Sequence, residues 1–231
     1  MTECHNVMKL SPRLTQLIDM VEHHYDHIWD CCCDHGFLGE ALLEYQAHST
    51  IHFVDIVPEL IEQLEQRLST SLHMPQRWNT HCLDVSRLPL DQHSGKHLVI
   101  IAGVGGELTA EFIQTLQAKF AHLAVDFLLC PVHHHFTLRQ ALIKQNMHCI
   151  DEVLVEDNRR FYELLLVSSD KTTFDQVTPA GAKLWQSTCP VHSQVIERYW
   201  HKTMRHYQRI AQGSPEKAGP ILEAYLSVKP F

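Results

Sequence analysis

Asp30-Cys31-Cys32-Cys33-Asp34-His35-Gly36-Phe37-Leu38 contains the clearest indication of the fold class in this sequence. It lies where an apolar, strand-like run, His27–Cys33, passes into a helical pattern, Phe37–Tyr45. A strand that turns into a helix through short polar residues and a glycine is typical of the first unit of a doubly wound sheet. Such sheets bind nucleotide-like ligands at this turn, so the sequence predicts a ligand site here.

Strand and helix patterns alternate on both sides of this turn. A helix that begins at Ser11-Pro12 precedes the first strand, because serine is a favourable N-cap and proline a favourable first residue. The periodicity predicts the further strands Thr50–Val54, Arg77–Cys82, His97–Ala102 and Val125–Cys130 and the further helices Pro58–Ser69, Gly106–Ala118 and Phe136–Asn146. Continuous apolar strands between helices indicate a parallel sheet covered on both faces.

Two β-rich runs, Cys149–Val155 and Phe161–Val167, follow with only a polar turn between them, which predicts an antiparallel hairpin. Parallel strands closed by such a hairpin are typical of the Rossmann-like sheet of class I methyltransferases. After Ser169 the pattern is wholly helical, with a short helix that restarts after Gly219-Pro220. We therefore predict an α/β domain over residues 1–169 and a C-terminal helical hairpin over residues 170–231.

Composition restricts the class of protein. The hydrophobic content is 45%, yet no run approaches the roughly 18 apolar residues of a membrane span, and residues 1–10 lack the apolar run of a signal peptide. The eight cysteines show no paired framework and no Cys-x-x-Cys knuckle. We expect a cytoplasmic protein with reduced thiols and no metal, including at His133-His134-His135, where consecutive side chains diverge.

The charge is unevenly distributed. The net charge of −8 consists of −12 over residues 1–170, with 11 Lys+Arg against 23 Asp+Glu, and +4 over residues 171–231, with 8 against 4. Contact with phosphates requires Lys and Arg, so any RNA contact should use the C-terminal segment. Cations recur there at helical spacing and form the candidate RNA-binding set Arg198, Lys202, Arg205 and Arg209; a merely solvated helix face is the alternative.

Acidic residues follow three successive strands. Asp30 or Asp34 could accept a hydrogen bond from an ammonium group, and Gly36 allows close backbone approach. Asp55, about twenty residues after the glycine turn, could accept from ribose hydroxyls, and Asp84 from an adenine amino group. The alternatives are an ordinary turn capped by Asp34 and a loop or cap aspartate at position 84.

Three glycines, at positions 103, 105 and 106, come directly after the fourth strand and are followed by Glu107 at a helix start. They could admit a substrate base or a cofactor close to the backbone. Alternatively, they only permit a tight turn into the helix.

These motifs together resemble the TrmK family of tRNA (adenine(22)-N1)-methyltransferases over roughly residues 9–168. The resemblance rests on Leu10-Ser-Pro-Arg-Leu14, Asp34-His-Gly36, Asp55, Ala102-Gly-Val-Gly-Gly-Glu-Leu108 and Glu156-Asp-x-x-x-Phe-Tyr-Glu163. This chain differs from the family at Cys32, where the family has the first-turn glycine, and at Cys130-Pro131-Val132, where the family tends to have Gln-Pro-Asn. The helical tail resembles the family's coiled-coil appendage more loosely.

The resemblance implies a methyltransferase that uses S-adenosylmethionine and acts on tRNA. It implies a cofactor site formed by Asp30, Cys32, Asp34, His35, Gly36, Asp55, Asp84 and Gly103, and a substrate side formed by Gly105, Gly106 and Pro131. Asp34 and Glu107 are the candidate catalytic carboxylates, since the N1-methylated ring is cationic. Another methyl acceptor and a catalytically silent RNA- or partner-binding protein remain as alternatives.

Overall fold

The computed structural model describes residues 10–21, 25–71, 76–170, 174–228 and 230. The helices are α1 (Pro12–Asp19), α2 (Phe37–Tyr45), α3 (Pro58–Thr70), α4 (Gly106–Lys119), α5 (His135–Lys144), α6 (Pro190–Gly213) and α7 (Pro215–Ser227). The strands are β1 (His27–Cys31), β2 (Thr50–Asp55), β3 (Trp78–Cys82), β4 (His97–Ala102), β5 (Val125–Cys130), β6 (His148–Asp157), β7 (Arg160–Ser168) and β8 (Asp175–Gln176). Short 3₁₀ helices cover Val85–Arg87, Leu90–Gln92 and Lys183–Trp185.

The eight strands form one sheet in the order β3-β2-β1-β4-β5-β7-β6-β8. Strands β1 to β5 are parallel, and β7 is antiparallel to both β5 and β6. Strand β1 pairs with β2 on one side and β4 on the other, so the strand order reverses at β1. The predicted Rossmann-like sheet with a terminal antiparallel hairpin is therefore confirmed.

Each face of the sheet has its own apolar core. On one face α1, α2 and α3 pack through residues such as Leu17, Leu42 and Leu64. On the other face α4 and α5 pack through residues such as Ile113 and Leu138. Burial on both faces explains why β4 and β5 are continuous apolar runs.

A third core joins the C-terminal helices to the outer end of the sheet. Leu154 of β6 contacts a cluster that includes Trp185, Ile196 and Trp200 of the C-terminal segment, and Tyr225 of α7 completes it. The Trp200 indole donates a hydrogen bond to the Tyr225 carbonyl at 2.9 Å. Helices α6 and α7 are thus packed on each other and on the sheet.

Arg139 of α5 fixes this junction through a buried ionic network. Its guanidinium donates to Glu163 of β7 and Glu152 of β6, both at 2.8 Å, and all three residues are almost fully buried. Burial raises the pKa of Glu163, but Arg139 outweighs it and holds the pKa below its usual value. Tyr199 of α6 donates to the second Glu163 oxygen at 2.5 Å. Removing one partner would leave a buried charge unpaired. The network is therefore complete only when α5, the β6–β7 hairpin and α6 are all in place.

Several predicted boundaries are confirmed, and three predictions are wrong. The bounds of α2, β4 and β5 agree with the sequence pattern. Strand β1 ends at Cys31 rather than Cys33, because Cys32 has a left-handed backbone with φ of 56°. The segment after Ser169 is not wholly helical, since β8 pairs with β6. Helix α7 begins at Pro215 and continues through Pro220 instead of restarting after it.

The long helices are amphipathic rather than apolar throughout. Among the described residues, no helix has the length and hydropathy needed to cross a membrane.

Candidate active site

The turn after β1 is built from residues with left-handed backbones. Cys32, Asp34 and Gly36 have φ values of 56°, 50° and 72°. A positive φ is free for glycine but costs other residues roughly 1–2 kcal/mol, and it is most unusual for a residue such as cysteine. Cys32, at the position where the resembling family has glycine, thus adopts a backbone conformation that glycine adopts more readily.

Two aspartates brace this turn. Asp30 of β1 is 3% exposed and accepts the Gly39 backbone amide of α2 at 2.9 Å. Asp55, at the end of β2, accepts the backbone amides of Asp34 and Val57, each at 3.1 Å. Asp30 thus joins β1 to the first turn of α2, and Asp55 joins the end of β2 to the turn after β1.

The turn opens into a cavity of about 230 Å³ at the carboxyl ends of β1 and β4. The predicted residues that line it are Asp30, Cys32, Asp34, His35 and Gly103. Gly103 has φ of 88°, and a β carbon built there would meet nothing within 4 Å, so the space beside it is open. Gly36 and Asp55 are adjacent to the cavity through the turn that they support.

The electrostatics of the cavity are acidic. Burial, followed by the charges of Asp55, Asp30 and Asp84, raises the pKa of Cys32 to about 11. The charges of all three carboxylates therefore act on Cys32, although Asp30 belongs to β1, Asp55 ends β2 and Asp84 follows β3. Asp84 also caps the 3₁₀ helix Val85–Arg87 by accepting the Ser86 amide at 2.8 Å, as the cap alternative required.

The cysteines of this turn are free thiols, as are the other cysteines among the described residues. Burial raises the pKa of Cys31 and Cys33 as well, so these thiols stay protonated at neutral pH. Cys31 and Cys33 are buried, whereas Cys32 is half-exposed because it faces the cavity.

The cavity wall also contains a cation that the sequence pattern did not indicate, Arg13 of α1. Its guanidinium lies 5.0 Å from the centroid of the Tyr162 ring. Burial raises the pKa of Cys130 to about 11, even though Arg13 hydrogen-bonds to this thiol and lowers it. The Leu10–Leu14 motif carried the signal, but nothing local indicated that α1 would reach the end of β5.

Gly105 and Gly106 allow the loop after β4 to pack closely against the loop after β5. Val132 donates to the Val104 carbonyl and Gly106 to the His133 carbonyl, both at 2.9 Å. A β carbon on Gly105 would lie 2.4 Å from the His133 ring, and one on Gly106 would lie 2.4 Å from the His134 carbonyl oxygen. The loop contact leaves no room for a side chain at these two positions, so it explains both glycines even if no substrate binds there.

Glu107 and Pro131 flank this loop contact rather than the cavity. The Glu107 carboxylate is exposed and lies 3.4 Å from Nδ1 of His134. Pro131 is buried at the end of β5. Of the two candidate catalytic carboxylates, only Asp34 lines the cavity.

The α6 cations lie beside a second groove of about 400 Å³ between the β5–α5 loop and the C-terminal helices. Lys202 and Arg209 line this groove together with His133 and His134. Lys202 lies 5.2 Å from the centroid of Phe161, and Arg205 lies on the adjoining surface. Arg198 is ion-paired with Glu156, so its charge is partly neutralised.

The fold and the family agree on the class of protein. A family model described as a methyltransferase domain matches residues 10–165, and the chain belongs to this family. No curated protein sequence matches the chain significantly.

Several solved structures have the same fold as this chain. A proposed tRNA (m1A22) methyltransferase of Streptococcus pneumoniae superposes with a TM-score of 0.74 at 18% identity, covering 95% of this chain and 99% of that one. B. subtilis TrmK, an m1A22 tRNA methyltransferase, gives 0.68 at 18% identity over 95% and 98%. M. capricolum TrmK in complex with S-adenosyl-homocysteine gives 0.72 at 13% identity over 94% and 96%. The chain thus has the TrmK fold along nearly its whole length, including the helical appendage.

Burial of Asp30 makes stability depend on pH. Burial raises the pKa of Asp30 to about 7, although the Gly39 amide opposes the shift, while an unfolded aspartate titrates near 3.9. The folded chain therefore holds this proton more tightly, and its stability falls as the pH rises from about 4 to about 7. We expect Asp30→Asn to gain stability relative to the parent across this window, by at most ~4 kcal/mol.

Urea unfolding at several pH values without ligand measures this difference. The exposed Asp91→Asn serves as the matched control and should follow the parent at each pH. A difference between Asp30→Asn and the parent that is constant from pH 4 to pH 7.5 would show that folding does not raise the pKa of Asp30.

Proposed function

We propose that this protein is an S-adenosylmethionine-dependent methyltransferase that methylates N1 of an adenine in tRNA. The observation that carries the proposal is the acidic cavity at the carboxyl ends of β1 and β4, in a chain that belongs to the methyltransferase-domain family. The relatives with the same fold include a TrmK bound to the cofactor product.

The cavity fits this cofactor chemically. The cofactor has a cationic sulfonium and an ammonium group, and the walls present Asp30 and Asp34. Asp55, at the end of β2, is suited to the ribose hydroxyls, because each of its oxygens accepts only one hydrogen bond from the described residues. Asp84 is suited to the adenine amino group, since only one of its oxygens is used in the cap. His35, Gly36, Cys32 and the open space at Gly103 complete the proposed site.

When bound, the cofactor supplies an activated methyl group on sulfur. The N1 atom of adenine already has a lone pair, so the protein needs no general base and mainly has to align the ring and exclude water. Asp34 lines the cavity and can stabilise the positive charge of the methylated ring. Glu107 lies beyond the loop contact, where it would act on the substrate side together with Gly105, Gly106 and Pro131.

The second groove is the natural continuation of this site toward RNA. Lys202 and Arg209 supply cations, and His133, His134 and Phe161 supply flat rings for a base removed from its stack. Because the β5–α5 loop borders both the groove and the glycine loop after β4, a base could reach the cavity while the phosphates contact α6.

Methyl transfer from deuterated S-adenosylmethionine to unmodified tRNA transcripts tests the function. We expect labelled 1-methyladenosine in the digested tRNA, and we expect the label to disappear when the adenine at position 22 is replaced by guanine. Mass spectrometry of the nucleosides detects both. Label in another nucleoside would overturn the assigned acceptor, and absence of label from RNA would overturn the enzymatic proposal.

The helix cations should make RNA affinity salt-dependent. We consider a variant in which glutamine replaces Arg198, Lys202, Arg205 and Arg209. The slope of log affinity against log salt should become shallower by roughly 2–3, because Arg198 is already paired with Glu156 and the variant loses the other three cations as phosphate contacts. Filter binding or fluorescence anisotropy between low and moderate salt measures this slope.

The triple variant Lys96→Gln/Lys119→Gln/Lys144→Gln is the control, because these lysines lie at the opposite edge of the sheet. It should keep the parent's slope. If instead the α6 variant binds and methylates tRNA like the parent at every salt concentration, the helices do not dock RNA.

A further inference from the structure

Five histidines gather on the face of the sheet that packs on α4, and none of them lines the cavity. We call His27, His52, His81, His93 and His97 the histidine cluster. Four of them belong to β1, β2, β3 and β4, and His93 precedes β4. The parallel register places His27 beside His97 and Trp29 beside His52, and Trp29 stacks on the His52 ring at 3.8 Å between centroids. His27 and His97 are the first residues of β1 and β4, so the cluster begins at the amino edge of the sheet and extends across β2 to His81, which lies level with Val54.

The imidazole nitrogens of the cluster converge. Nδ1 of His27 lies 3.1 Å from Nε2 of His52, and Nδ1 of His52 lies 3.0 Å from Nε2 of His81. One nitrogen from each of His27, His52 and His93 lies within 4.8 Å of the others. The hydrogen-bonded pairs account for His27, His52 and His81, but no hydrogen bond from a described residue reaches the His93 ring.

The hydrogen-bond geometry permits a tautomer in which lone pairs converge. Each neutral imidazole has one N–H and one lone pair, so in the contact between His27 and His52 one nitrogen donates and the other accepts. If His52 carries its proton on Nδ1, which faces His81, and His27 carries its proton on Nε2, the two facing nitrogens present their lone pairs to a metal.

We propose that His27, His52 and His93 form a zinc site. In a tetrahedral site with Zn–N distances of about 2.0–2.1 Å, ligand nitrogens lie about 3.3 Å apart, which the His27–His52 pair already approaches. His93 is half-exposed and follows a short 3₁₀ helix, so its side chain can close the remaining distance. Three imidazoles and a water molecule are a ligand set that suits Zn²⁺.

The neighbours of the three ligands also suit a metal. If Nε2 of His52 binds zinc, its Nδ1–H can donate to Nε2 of His81, the kind of outer hydrogen bond that orients a metal-bound histidine. The site would tie β1 and β2 to the loop before β4. None of its three ligands lines the cavity, so the site would take no part in the methyl transfer proposed there.

Zinc binding by the full-length, untagged protein tests the site. After treatment with a chelator, we expect the protein to take up one Zn²⁺ per chain in competition with a chromophoric chelator. His81→Ala removes only a hydrogen-bond partner of the ligand His52, so zinc affinity should fall by ~10–100-fold. His93→Ala removes a ligand, so zinc affinity should fall by more than this. His133→Ala/His134→Ala, which removes adjacent histidines of the β5–α5 loop, should bind like the parent.

Thermal unfolding in the presence of chelator checks that each variant folds. Crystals of the parent soaked in zinc provide a test that needs no variant, with an anomalous peak expected between the three rings. Absence of stoichiometric zinc, unchanged affinity in His93→Ala, lost affinity in the loop variant or a peak elsewhere would each overturn the proposal.

Discussion

The reversal of strand order at β1 is the constraint on which the site depends. Because β2 pairs with one side of β1 and β4 with the other, the connections after β1 and β4 leave in opposite directions and a crevice opens at their carboxyl ends. The chain must leave β1 through a tight turn, and Asp30 and Asp55 hold that turn by accepting backbone amides. Asp30 also lines the crevice and Asp55 lies beside it, so the support of the turn and the acidic surroundings of the crevice have one origin.

A second constraint connects this crevice to the appendage. The buried guanidinium of Arg139 needs both Glu152 and Glu163, and Glu163 in turn accepts from Tyr199 of α6. The helix that carries the candidate RNA-binding cations is therefore fixed to the hairpin and to α5. Since α5 follows the loop that contacts the glycine loop after β4, the orientation of the cations relative to the crevice follows from a buried network rather than from surface contacts.

Local patterns could predict the sheet but not what distant strands bring together. The bounds of β4 and β5 could be predicted from their apolar runs, because both faces of these strands are buried. The end of β1 could not, because it depends on a left-handed backbone at Cys32 that composition does not reveal. The acidic residues after three strands could be proposed as one site because parallel strands end at a common edge. Arg13, the two-residue β8 and the histidine cluster depend on long-range packing and register, so no local spacing indicated them.

Calorimetric titration of the purified chain with S-adenosylmethionine tests whether the crevice at β1 is the cofactor site. We expect saturable binding at one site per chain. In Asp55→Ala, affinity should fall by about 10- to 150-fold, because charge-assisted hydrogen bonds are worth roughly 1.5–3 kcal/mol. Asp91→Ala, an exposed aspartate on the 3₁₀ helix Leu90–Gln92, should bind like the parent. No binding to the parent, or an unchanged dissociation constant in a folded Asp55→Ala variant, would contradict the assignment of the crevice at β1 as the cofactor site.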